Sequence, residues 1–252
     1  MLFERKHHQL IASVLENMDA DLLKANSCFF AGGTVLSLLH KEYRESNDID
    51  FMVCETEGYR NLRHLLTGKD GFEALAKAGG CIHQAVEVRA DQYGIRGKVE
   101  VAGIPIKIEI VREARIPFDA PGDNDQICGI TTLCAVDLAA EKLLANSDRW
   151  LDAAVFSRDV IDLAMMDADK SLVKSALQKA EVAYGASVKR DLEKSMDRVL
   201  NKEGWMDRCI DAMAINAPKA LIFQRLLELG RHAGVVCRLD RHHRPAQNER
   251  FR

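Results

Sequence analysis

Phe30-Ala31-Gly32-Gly33-Thr34, followed by Arg44-Glu45-Ser46-Asn47-Asp48-Ile49-Asp50-Phe51, is the stretch on which the fold turns. Cys28 to Ala31 is a short apolar run stopped by two glycines, which suits a buried strand. Thr34 to Lys41 then reads as a helix. Ile49 to Cys54 returns to a strand. In a strand, alternate residues share a face, so Asp48 and Asp50 lie together, opposite Ile49 and Phe51. The chain holds 21 aspartates, and chance alone gives about two Asp-x-Asp pairs. Four occur: Asp19/Asp21, Asp48/Asp50, Asp123/Asp125 and Asp167/Asp169. The first begins a helix-like stretch, where aspartate caps. The third falls in a loop, and the fourth joins two helices. Only Asp48/Asp50 runs directly into an apolar strand.

Outward from this core, Phe3 to Met18 reads as a helix and Ala85 to Ala90 as a strand. Val99 and Val101 alternate ahead of a turn at Ala102 to Pro105. Ile106, Ile108 and Ile110 then alternate with Lys107, Glu109 and Val111, the period of a half-buried strand. Glu109 shares a face with Lys107. Pro117 to Asp125 is a loop, and a short segment Ile127 to Ile130 follows it. Helical patterns then cover Leu133 to Leu144, Val155 to Met166, Ser171 to Ala183, Val188 to Leu200 and Pro218 to Leu229. No proline falls between Pro121 and Pro218, so nothing interrupts them. The expected fold class is α+β: a mixed sheet with flanking helices in residues 1–125, a helical region in 126–230, and a basic tail in 231–252. The tail has six arginines against Asp240 and Glu249. It reads as a flexible segment or as an RNA-contacting arm.

Composition limits the function. The 252 residues carry 35 lysines and arginines against 38 acids, net −3, so no global basic field draws the chain to nucleic acid or membrane. No apolar run approaches a membrane span, and the first nine residues do not resemble a secretory signal. Seven scattered cysteines without a Cys-x-x-Cys read as reduced thiols, which places the chain in the cytoplasm. His7-His8 and His242-His243 read as solvated.

Two carboxylates on one strand face repel each other unless cations sit between them, and hard oxygen ligands suit magnesium. Glu109 is the candidate third ligand. The alternative is a solvated acidic face. Gly32 and Gly33, between strand and helix, let backbone amides approach a phosphate, and Thr34 adds a hydroxyl. A plain strand-to-helix turn is the competing reading.

The ordered set resembles the core of the DNA polymerase β-like nucleotidyltransferases and, more narrowly, the AbiEii/AbiGii-type toxin family. That family's pattern is Gly-Gly-Thr, a short helix, then Arg-x-Ser-x-Asp-Ile-Asp. Lys107 to Ile110 resembles its second acidic strand. Asp137 to Ala145, with Lys142, resembles its helical lysine motif, and Arg158 to Leu163 its Arg-Asp-x-x-Asp-Leu motif. The resemblance implies transfer of a nucleoside monophosphate from an NTP to an acceptor hydroxyl. It implies two magnesium ions, with manganese as a substitute, on Asp48, Asp50 and Glu109. It implies triphosphate contacts from Gly32, Gly33 and Thr34, a phosphate-binding Lys142, and secondary contacts from Arg44 and Ser46. Asp159 and Asp162 share a helical face and either orient Lys142 or bind the nucleotide. Lys142 read by itself is a helix lysine paired with Asp137 or Asp148. As a toxin, the chain would have RNA, protein or a small molecule as acceptor and a cognate antitoxin as partner. A stand-alone small-molecule transferase, and a non-catalytic nucleotide- or RNA-binding module on the same fold, are the alternatives.

Overall fold

The computed structural model describes residues 3–236. Helices α1 (Lys6–Asn17) and α2 (Ala20–Ala25) come first. Asp19 caps α2 by accepting from the Leu22 amide at 2.9 Å. Strand β1 (Cys28–Ala31) is buried at all four residues, as its unbroken apolar run requires. It ends where Gly32 takes φ +79° and opens α3 (Gly32–Leu39). Strand β2 (Asp48–Val53) buries Ile49, Phe51 and Val53 and turns Asp48, Asp50 and Met52 the other way. Then follow α4 (Thr56–Leu66), β3 (His83–Ala90), β4 (Gly94–Val101) and β5 (Ile104–Arg112). Ala102 and Gly103, both at positive φ, make the two-residue turn between β4 and β5.

The five strands form one mixed sheet in the order β1-β2-β5-β4-β3. β2 and β5 pair in parallel, and the other pairs are antiparallel. The parallel register sets Asp48 beside Lys107 and Asp50 beside Glu109. One sheet face therefore carries the charges. The other buries Ile49, Phe51, Ile106, Ile108 and Ile110 in the core.

A small hairpin, β6 (Gln126–Ile127) and β7 (Ile130–Thr131), ends the proline-rich loop. Helices α5 (Ala135–Arg149), α6 (Arg158–Met165), α7 (Lys170–Tyr184), α8 (Ser187–Asn201), α9 (Trp205–Ala212) and α10 (Lys219–Ala233) complete the described chain. α5 packs on α6, α7 and α8 and also meets α3, so the helical region closes over the charged sheet face. No helix among the described residues is long and apolar enough to cross a membrane.

The architecture is the expected α+β class. Helices α4 and α9 add to the elements read from the sequence, and α2 is the helix-like stretch that Asp19 begins. α10 runs through Ala233, so Arg231 and His232 belong to a helix; residues 237–252 of the basic tail lie outside the described residues. His8 is corrected too: it is fully buried rather than solvated. Its Nδ1–H donates to Glu42 at 2.8 Å and its Nε2 accepts from the Ser46 amide at 3.2 Å.

Candidate active site

Between the charged sheet face, the start of α3 and the helices α5 and α6 lies a cleft of about 420 Å³. Asp48, Asp50, Lys107 and Glu109 form its floor, Gly32 and Gly33 one rim, and Lys142 and Arg149 the facing wall. Asp48 and Asp50 make no ion pair among the described residues. Asp50 is pushed up to about 6, first by burial and then by Asp48 across the strand face. Ala31 faces Asp50 in register, and a Cβ on Gly32 would stand 2.7 Å from Asp50 Oδ2. The first glycine is thus required both by its backbone angle and by the carboxylate beside it.

Glu109 sits differently. Its two oxygens accept from Arg96 Nε at 2.5 Å and Lys107 Nζ at 2.7 Å. Burial raises its carboxyl, yet the bonds from Lys107 and Arg96 outweigh that and hold it below the usual range. Asp48 and Asp50 are therefore the free hard-oxygen donors, and they fit a divalent cation. Glu109 stands next to Asp50 in register, with both of its oxygens held by Arg96 and Lys107.

Behind the cleft wall runs a buried charge chain. Asp162, fully buried, accepts from Arg44 Nε at 2.7 Å and Nη2 at 2.9 Å, and from the Tyr43 hydroxyl at 2.5 Å. Lys142 Nζ lies 2.6 Å from Asp162 and 3.0 Å from Asp159. Arg149 donates to both oxygens of Asp159, at 2.7 and 2.9 Å. Burial would raise the Asp162 carboxyl, but Arg44 and Lys142 overcome this and hold it far below its ordinary value. Three cations on two acids leave one net positive charge directed at the cleft. Asp159 and Asp162 orient Lys142 and Arg44 here and do not line the cleft themselves. Lys142 does not pair with Asp137 or Asp148: Asp137 is taken by Lys179, and Asp148 by Arg115.

Thr34 departs from the role the resemblance implies. It is buried; its hydroxyl donates to the Asp48 carbonyl at 2.6 Å and lies 2.7 Å from the Ser46 hydroxyl. It fastens α3 to the start of β2 instead of facing a phosphate. Ser46 lines the cleft, and so does Arg44, whose Nη2 occupies the space a Cβ on Gly33 would need. The turn carrying Arg44 and Ser46 is held from below by the His8–Glu42 pair. Glu42 also accepts from the Glu4 and Arg5 amides at 2.6 and 3.1 Å. The sequence signal for this latch was weak: one histidine on an otherwise apolar helix face.

Among the described residues, Asp119, Cys134 and Asp137 are the one group whose three ligand atoms lie within 4.8 Å of one another. Sequence patterning did not single it out. The Lys179 ammonium already sits on both aspartates, and the Asp119 amide donates to Asp137 at 2.7 Å. This arrangement ties α7 to the first turn of α5.

The state of Asp50 gives a pH expectation. Without a cation, Asp50 holds its proton up to about pH 6. Protons and divalent ions then compete for it below that pH. Mg2+ affinity should fall as pH drops through 6, and ion binding at pH 5.5 should release a proton. Calorimetry at pH 5.5 in buffers of different ionisation enthalpy measures that proton. A pH-independent affinity between 5 and 7 would contradict the assignment.

No curated protein matches. Two crystal structures from Helicobacter pylori are similar in chain path. One is JHP933, at 16% identity and TM-score 0.49, covering 90% of this chain and 89% of the other. The second is described as a putative nucleotidyltransferase, at 16% identity and TM-score 0.47, covering 90% and 92%. The family model "Nucleotidyl transferase AbiEii toxin, Type IV TA system" matches residues 13–226, a span that includes every cleft residue named above. The chain belongs to the AbiEii nucleotidyl transferase toxin family.

Proposed function

We propose that the protein is a divalent-metal-dependent nucleotidyltransferase that moves a nucleoside monophosphate from an NTP to an acceptor hydroxyl. In this reading it is the toxin of a type IV toxin–antitoxin or abortive-infection pair. The observation that carries the reading is the pair of unpaired aspartates, Asp48 and Asp50, opposite a wall of cations and beside Glu109 in register.

Asp48 and Asp50 would hold the metal, with Glu109 as third ligand. A bound divalent pair supplies charge neutralisation at the attacking and leaving oxygens of an in-line displacement. The chain's own groups do the rest. The start of α3 at Gly32 and Gly33 offers backbone amides to the triphosphate. Lys142, fixed by Asp159 and Asp162, adds a charge that needs no reorganisation during reaction. The acceptor oxygen bonds to the α-phosphorus, and the bond from that phosphorus to the bridging oxygen breaks. Pyrophosphate leaves, and the hydroxyl proton passes to Glu109. Met52, Val111, Leu138 and Ala145 give the cleft apolar wall against which a base can lie.

The acceptor is an RNA end, a protein hydroxyl or a small molecule, and a cognate antitoxin is the partner that the toxin reading requires. Incubation with each α-labelled NTP, Mg2+ and total cellular RNA tests donor and acceptor together. Label on RNA fixes both. Pyrophosphate release without label on RNA points to a protein or small acceptor, and no NTP consumption with any acceptor pool overturns the reading.

Glu109 has its own expected result. Glu109→Gln should lower turnover on the order of 10²-fold, because the amide loses charge as ligand and cannot take the hydroxyl proton. Fold stability should change little, since Arg96 and Lys107 lie at the surface end of the site. Turnover within a factor of a few of wild type would remove Glu109 from the site.

A further inference from the structure

Six cationic side chains line the cleft: Arg44, Lys107, Arg115, Lys142, Arg149 and Arg158. Five are spoken for. Arg44 and Lys142 sit on Asp162, Arg149 on Asp159, Lys107 on Glu109, and Arg115 on Glu113. The Arg158 side chain alone makes no hydrogen bond or ion pair with any described residue. We propose that Arg158 grips the terminal phosphates of the nucleoside triphosphate and holds the departing pyrophosphate. The inference rests on the nucleotidyltransferase reading and adds a residue and a direction to it.

The backbone that presents Arg158 is unusual. Phe156 and Ser157, immediately before it, both adopt left-handed conformations, at φ 49° and 50°. Two consecutive non-glycine residues in this region cost on the order of 1–3 kcal/mol each, and such strain persists only where the surroundings impose it. Here Trp205 imposes it. Its ring stacks on Phe156 at 6.2 Å, and its indole N–H donates to the Ser157 hydroxyl at 2.9 Å. Both Trp205 and Ser157 are buried. The result of this strain is to place a guanidinium, without an internal acid to receive it, at the first position of α6.

Position supplies the direction. A second groove of about 260 Å³ adjoins the cleft, and Arg44, Ser46, Asp48 and Arg158 line both. These four residues form the partition between them. Glu109 lies beside Asp50 on the neighbouring strand β5 and lines the cleft but not the second groove. In-line displacement requires the attacking and leaving oxygens on opposite sides of the α-phosphorus. With the acceptor hydroxyl at Glu109, the leaving side is assigned to the partition and its Arg158. An unpaired guanidinium suits two adjacent phosphates, because its planar fork bonds both at once.

The test is titration of wild type, Arg158→Lys, Arg158→Gln and Arg158→Ala, in Mg2+, with the mono-, di- and triphosphates of each of the four nucleosides and with inorganic tripolyphosphate. Thermal melts accompany them, and the polar, uncharged glutamine variant covers the case in which alanine does not fold. Wild type should bind triphosphate better than monophosphate. Glutamine and alanine should weaken triphosphate and tripolyphosphate on the order of 10–100-fold and monophosphate by less than about twofold, with lysine between. If wild type binds triphosphates but the variants lose nothing, or lose the same factor for monophosphate, the role of Arg158 is overturned while the wider reading stands. If wild type binds none of the nucleotides, the wider reading falls with it.

Discussion

Asp50→Asn should abolish nucleotide transfer and, in the absence of metal, leave a more stable protein. The catalytic loss follows from removing one charge from the only two uncommitted acids on the cleft floor; it should be on the order of 10³-fold or more. The stability gain follows from linkage. In the fold Asp50 takes up a proton near pH 6, against 3.8 for a free aspartate, because it is buried beside Asp48. A raised carboxyl favours the fold fully below the unfolded value and loses that advantage as pH climbs from about 4 to 6. Above pH 6 the ionised form costs about 3 kcal/mol, which the neutral asparagine does not incur. The metal-free melting temperature at pH 7.5 should rise by roughly 8 °C, and the gain should vanish near pH 4. Addition of Mg2+ should stabilise wild type and leave the variant unchanged. Asp48→Asn should be as inactive. Parallel melts over pH 4 to 8 with and without Mg2+ measure all of this. A variant less stable than wild type at pH 7.5 would contradict the picture of two repelling acids.

Asp162→Asn should be the most destabilising conservative change in the cleft wall. Asp162 is fully buried and receives Arg44, Lys142 and Tyr43. An amide cannot neutralise two cations, so Arg44 and Lys142 would be left desolvated and facing each other. Breaking a buried pair in this way costs about 3–5 kcal/mol. The native carboxyl is held far below its unfolded value by those cations, so its contribution is present above about pH 4. It fades as pH falls toward the native value. Urea unfolding at pH 7 should show the full loss, and the gap between variant and wild type should narrow on acidification below pH 4. A loss under about 1 kcal/mol at pH 7 would mean that the chain of charges behind the cleft is slack and does not fix Lys142.

The floor of this site was legible because its signals are local. The Asp48-Ile49-Asp50-Phe51 alternation states which side each residue faces, and β2 follows it residue by residue. Ile106, Ile108 and Ile110 do the same for β5, and Glu109 falls on the charged face. The parallel register that puts Glu109 beside Asp50 is set by tertiary packing and carries no local mark. The cleft wall was only half legible. Asp159 and Asp162 at a three-residue spacing announce one helical face, but which cations they meet depends on how α6 crosses α5 and the turn at Arg44. Thr34 misled because a hydroxyl after two glycines suits a phosphate and suits equally the backbone carbonyl it bonds here. His8 misled because a polar residue near a terminus reads as exposed until Glu42 is brought to it from 34 residues away. Arg158 was legible only as the first residue of the Arg-Asp-x-x-Asp-Leu motif; that its side chain is unpaired was not, since an unpaired arginine is defined by every acid that fails to reach it.

The most direct measurement is pyrophosphate release by the protein with each of the four NTPs, an RNA and protein acceptor pool, and either Mg2+ or EDTA. Wild type and Asp50→Asn are compared at temperatures well below both melting points. The expected result is metal-dependent release with at least one NTP by wild type and none above background by the variant. Equal release by the two proteins, or release that persists in EDTA, would contradict the assignment of Asp48 and Asp50 as the metal-holding centre of a nucleotidyltransferase.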